Sequence, residues 1–151
     1  MARNDMVTFE EFIKDVYDGV HGDLSAATIK AMIVDDTITP TAADATPRYA
    51  DYSANEVSAA GGYTTGGLTL SGVTTSEADG VLTFDDTGNI TISKDAVNGF
   101  EDGYWLILYN DTAAADQAIC FLDLGGPVSE KAGEITITWN ASGIFTDTVT
   151  V

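Results

Sequence analysis

Between Phe9 and Val20 the apolar residues fall at Phe9, Phe12, Ile13, Val16, Tyr17 and Val20. This i, i+3, i+4, i+7, i+8, i+11 spacing places them on one stripe of an amphipathic helix. Thr8 followed by Glu11 has the form of a capping box at its start, and Gly19 and Gly22 are natural stops. A helix of about three to four turns carrying two phenylalanines and a tyrosine on one stripe must dock on something. Its own domain is the first expectation and a neighbouring subunit the second.

From Thr28 onward the period changes to two. Ile29–Val34 is a compact apolar run closed by Asp35-Asp36, and Leu68–Val73 alternates apolar with small polar residues. Val81–Phe84, Ile90–Ile92, Tyr104–Tyr109, Ala118–Leu124, Ile135–Trp139 and Ile144–Val151 read as further strands, each bounded by Gly, Asn or Asp clusters that supply turn geometry. These short intervals leave no room for crossover helices, so the sheets should be antiparallel. The expected architecture is mainly β: an antiparallel β-sandwich or jelly-roll-like barrel with one N-terminal amphipathic helix. Residues 1–24 form the arm and helix, and residues 25–151 a single β domain. Within it, the stretch 39–67 is rich in Thr, Ala, Ser and Gly and holds Pro40, Pro47, Tyr49, Tyr52 and Tyr63 with little periodicity. It reads as long surface loops, where contacts with partners tend to be made.

Composition narrows the function. The 151 residues suit one domain of ordinary size, and 44% hydrophobic content is enough to build a core. Six Lys plus Arg against 24 Asp plus Glu give a net charge of −18. Such a surface repels phosphate and argues against nucleic acid and anionic membranes as partners. One cysteine and one histidine allow neither an intrachain disulfide nor a zinc site of the usual Cys/His kind. No apolar run approaches a membrane span, and the start has no basic region followed by an apolar stretch, so the expectation is a soluble protein made in the cytosol.

Candidate chemistry is thin. His21, the only histidine, ends the helix, where a solvated cation suits the helix dipole, and there is no Gly-x-Ser-x-Gly elbow. Cys120 lies among large apolar residues and reads as a buried, inert thiol. The glycines of Gly61–Gly67 match neither a P-loop nor a dinucleotide fingerprint. Asp35-Asp36 and Asp85-Asp86 could hold calcium or serve acid/base work, but with 17 Asp in the chain adjacent pairs arise by chance, and solvated turns are the plainer reading. The sequons at Asn89, Asn110 and Asn140 read as products of Thr-rich strands and turns rather than glycan sites. Trp105 and Trp139 read as core residues. The chain is therefore expected to be no enzyme and to need no cofactor.

The order of its motifs resembles a family of small bacteriophage virion proteins, the head decoration or capsid cement proteins. The residues that carry the resemblance are Ile29–Val34 running into Asp-Asp-Thr, Glu56-Val57-Ser58 leading to Gly62–Gly67 and Leu70-Ser71-Gly72, then Tyr104–Asp111, Phe121–Gly126 and Ile135–Phe145. The resemblance implies a structural virion protein on the outer capsid surface, made in the host cytoplasm. It would act as a homotrimer that bridges major capsid subunits and stabilises the shell. The interface would then use the helix stripe, Phe9, Phe12, Ile13 and Tyr17, with the loop tyrosines Tyr49, Tyr52 and Tyr63, since aromatics dominate hot spots. Two other readings stand beside it: a phage head or tail fibre or receptor-binding module, and a calcium-dependent cell-surface binding domain.

Overall fold

The structure is a computed structural model that describes residues 6–59 and 61–148. Three apolar runs build its centre. β2 (Ile29–Val34), β7 (Gly103–Asn110) and β8 (Ala118–Val128) form adjacent antiparallel strands, with Met32 opposite Ile107 and Ile107 opposite Phe121. Consecutive residues such as Leu106 through Asn110 are all buried, so this sheet is covered on both faces. Two-sided cover is why these strands read as continuous apolar runs and not as alternation. β1 (Met6–Thr8) pairs with β8 on one side and β3 (Leu68–Thr69) with β2 on the other, giving the order β1-β8-β7-β2-β3.

A second antiparallel sheet has the order β10-β5-β4 and is made of β4 (Val73–Ala78), β5 (Val81–Asp86) and β10 (Phe145–Thr148). The β4–β5 hairpin turns on Asp79 and Gly80, both at positive φ (53° and 78°), the backbone a two-residue type I′ turn demands. β6 (Ile90–Ile92) and β9 (Ile135–Ile137) make a two-stranded ribbon. The fold is mainly β, with antiparallel sheets in a sandwich-like arrangement around one hydrophobic core. The last residues of the expected terminal strand, 149–151, lie outside the described residues.

The helix α1 (Glu10–Tyr17) is shorter than its apolar stripe and begins differently from expectation. Thr8 is not a helix cap: it sits in β1 opposite Cys120, which holds it extended. Phe9 takes the N-cap position in β geometry (φ −70°, ψ 142°) with no side-chain cap, and its N–H donates to the Ile119 carbonyl. The end is as the sequence suggests. Gly19 adopts φ 73°, and two bonds, Gly19 N–H to Val16 O and Val20 N–H to Asp15 O, close a Schellman motif.

The region 39–67 is mostly irregular and exposed, but part of it turns inward. It contains a short helix α2 (Tyr49–Tyr52) and a 3₁₀ turn (Ser53–Asn55), and it lines the exposed edge of β2. β3 covers Lys30 and Ala31, Glu56 bridges to Val34, and the Val57 N–H donates to the Ile33 carbonyl. Between these contacts the Ile33 N–H has no strand to pair with, and it donates instead to the Tyr63 hydroxyl at 3.0 Å. Buried backbone donors must be met by something, and here the something is a tyrosine.

Candidate functional site

The aromatic and carboxylate groups of the 39–67 region form a closed network. Tyr63 donates to Glu56 Oε1 (2.7 Å), Tyr49 to Glu56 Oε2 (3.0 Å) and the Gly66 N–H to Glu56 Oε1 (2.8 Å), while Tyr109 donates to the Gly66 carbonyl (2.6 Å). Tyr52 donates to Asp44 (2.7 Å). Burial first, and the neighbouring carboxylates second, push the hydroxyls of Tyr52 and Tyr63 far above the usual tyrosine range, so both remain protonated donors. Gly67 must be glycine, since at φ 81° any Cβ would strike the Ala31 carbonyl. The network fastens the loop to the sheet.

Four of the seven expected interface residues are thereby reassigned. Phe9, Phe12, Tyr52 and Tyr63 are interior residues of the chain itself, each no more than 3% exposed. Phe9 packs between Tyr52 and Phe121, Phe12 against His21 and Phe145, and Tyr63 against Phe100. The aromatic payload that suggested an interface is used on the core. Tyr49 is half-buried against Tyr109. Ile13 and Tyr17, with 50% and 88% exposure, remain outside.

Two polar residues, His21 and Asp86, also depart from expectation. His21 is buried, not a solvated helix end: its ring lies 5.0 Å from that of Phe12, and Asn110 Nδ2 donates to its backbone carbonyl at 3.0 Å. Desolvation holds its imidazole below the usual histidine range. Asn110 is itself fully buried and spends its side-chain oxygen on the Thr112 and Ala113 N–H groups, so a glycan at that sequon would require unfolding. Asp86 is a buried staple and not a solvated turn. Its Oδ1 accepts from the Gly72 and Gly88 N–H groups (2.7 and 3.3 Å), and its Oδ2 from the Trp139 indole (3.1 Å). Those donors occupy the oxygens that a calcium ion would need. Burial pushes the Cys120 thiol far up, keeping it a neutral apolar group. Glu130, which the sequence does not single out, is fully buried and accepts from the Gly62 N–H.

A groove of about 610 Å³ opens between α1 and the second sheet. Its wall is the outer half of the helix stripe, Ile13, Val16 and Tyr17, and its floor is the inward-turned rows of β4, β5 and β10. The register sets the floor in two rows: Thr75–Phe84–Phe145, then Glu77–Leu82–Asp147. Phe84 and Phe145 stack at 5.0 Å and close the inner end against Phe12. Leu82, 40% exposed, and Val16, 44% exposed, stay uncovered at the outer end. Apolar surface that an otherwise well-packed chain leaves together at one place marks a docking site more often than an accident. The half of the stripe at Phe9 and Phe12 docks on the chain's own core, and the half at Ile13, Val16 and Tyr17 does not. Among the described residues no group of three or more His, Cys, Asp or Glu side chains is placed to hold a metal ion, and no helix is long and apolar enough to cross a membrane. Comparison with protein-family models, with curated proteins and with solved structures finds no match for this chain.

Proposed function

We propose that the chain is a structural virion protein that decorates the outside of a phage capsid, docking through the groove beside α1. The observation that carries the reading is the uncovered apolar set Ile13, Val16, Tyr17 and Leu82 on a rigid, acidic β scaffold. The order of motifs from Ile29 to Phe145 supports it through its resemblance to head decoration proteins. So does the commitment of Asp86 and the tyrosine–Glu56 network to packing and hydrogen bonding.

On this reading the mechanism is mass action. A ligand that binds only the assembled lattice stabilises it by the free energy of that binding, multiplied by the number of occupied sites. A symmetric homotrimer would place several grooves against neighbouring capsid subunits at once, and the linked contacts would raise the effective affinity. The −18 charge would keep the protein away from packaged DNA and, with many copies on one shell, would make the chains repel one another.

Mass spectrometry and cryo-EM of particles from the source that encodes the chain test the proposal. Many copies on the head exterior are expected. Absence from the head, or a few copies at the tail alone, would overturn it, and the second outcome would favour a fibre module.

A further inference from the structure

The groove carries a charge pattern as well as an apolar one. The outer floor row runs Glu77, Leu82, Asp147 across three strands, so an exposed leucine lies directly between two exposed carboxylates. On the facing helix the one cation, Lys14, is held by Asp18 at 2.8 Å and Glu11 at 3.5 Å. An occupant that covers Leu82 and Tyr17 therefore meets negative charge on both flanks. A second copy of this chain, presenting the same face, would set carboxylates against carboxylates, which costs affinity. From this geometry we infer that the groove binds an apolar segment bracketed by lysine or arginine side chains on another protein. The inference deepens the decoration reading by naming the chemistry of its partner, and it rests on that reading only for where the partner is found.

The recognition divides into two parts. The apolar side chains of the segment fill the space between α1 and β5, covering Ile13, Val16 and Leu82 and removing that surface from water. The flanking cations reach Glu77 and Asp147 at the rim, where exposed pairs add modest affinity but strong selectivity against acidic segments. Because these pairs stand in solvent, binding should weaken as ionic strength rises, while the apolar part stays unchanged.

The test needs no particle. Two synthetic peptides with the same apolar centre, one bracketed by lysines and one by glutamates, are titrated into the isotope-labelled full chain by NMR. The lysine peptide is expected to shift the resonances of Ile13, Val16, Tyr17 and Leu82. The glutamate peptide is expected to bind at least tenfold more weakly. The double variant Glu77→Gln with Asp147→Asn, both at exposed positions, is expected to weaken the lysine peptide about three- to tenfold. Equal binding of both peptides, shifts confined to another surface, or no effect of the double variant would overturn the inference. So would a change of oligomeric state in Leu82→Asp, read by sedimentation, because the groove would then be a contact between copies. Particles that lack the chain would defeat the decoration reading and leave these peptide results standing.

Discussion

The substitution Tyr63→Phe removes one oxygen atom and tests how the long loop is held. The ring is 2% exposed and packs edge-on against Phe100 at 5.6 Å, and phenylalanine keeps that contact. Two hydrogen bonds are lost. The Ile33 N–H, in a residue 1% exposed at the uncovered edge of β2, has no other acceptor to turn to. Leaving such a donor unpaired costs about 1–3 kcal/mol. The second bond, to the Glu56 carboxylate, is charge-assisted and typically contributes about 1.5–3 kcal/mol, but Glu56 is half-buried and keeps Tyr49 and the Gly66 N–H as donors. Water can replace part of that loss. The expected total is about 2–4 kcal/mol of lost stability, or roughly 4–16 °C in melting temperature for a domain of this size. Urea unfolding followed by circular dichroism should show a lower midpoint with an unchanged slope. Tyr17→Phe, which removes an exposed hydroxyl, is the control and should change stability by less than about 0.5 kcal/mol. A loss below about 1 kcal/mol for Tyr63→Phe would refute the claim that this hydroxyl completes the β2 edge.

Three further outcomes are expected. His21, whose imidazole burial holds below the usual range, disfavours protonation in the folded state, so its stability contribution is fully present above about pH 6.5 and is lost as pH falls toward the folded value; His21→Leu should flatten that part of a melting-temperature profile. Asp86→Ala leaves the Gly72 N–H and the Trp139 indole without their acceptor and should cost about 2–3 kcal/mol, whereas Asp86→Asn, which keeps the Oδ1 acceptor, should cost less; denaturant titration separates the two. Tyr17→Asp alters an 88% exposed side chain and should leave the unfolding midpoint within about 0.5 kcal/mol of the parent while lowering binding to capsids in a co-sedimentation assay.

Much of the fold can be read along the chain where the signal is local. Ile29–Val34 and Ile90–Ile92 form strands with the expected bounds, and the runs at Tyr104–Tyr109 and Ala118–Leu124 lie within slightly longer ones; the central three leave a nearly continuous apolar record, and Ile90–Ile92 alternates buried and exposed positions. Two strands escape that record. β4, Val-Thr-Thr-Ser-Glu-Ala, is mostly exposed, and its best signal is the Asp79-Gly80 turn that pairs it with β5. β1 is three residues long and exists because β8 offers it an edge.

The candidate site divides on the same line. The helix stripe is legible from its period, but which half of it faces outward depends on where Phe84 and Phe145 come to lie, and both are distant in sequence. The inward turn of Tyr52 and Tyr63 depends on Asp44, Glu56 and the unpaired Ile33 N–H, none of which a period reveals. A tyrosine in a polar loop looks like an offered contact until its hydroxyl partner is known. Asp86 misleads in the same way, since an acidic pair at a turn reads as solvated until the indole of Trp139 is found upon it.

On the proposed reading the chain sits on a phage head and grips it through the groove beside α1. The most direct measurement is a cryo-EM reconstruction of intact particles at a resolution that shows side chains. Density for this β fold is expected on the outer capsid surface, with Ile13, Tyr17 and Leu82 against a capsid segment that carries apolar and basic residues. A head without such density, or a bound chain whose groove faces solvent, would contradict it.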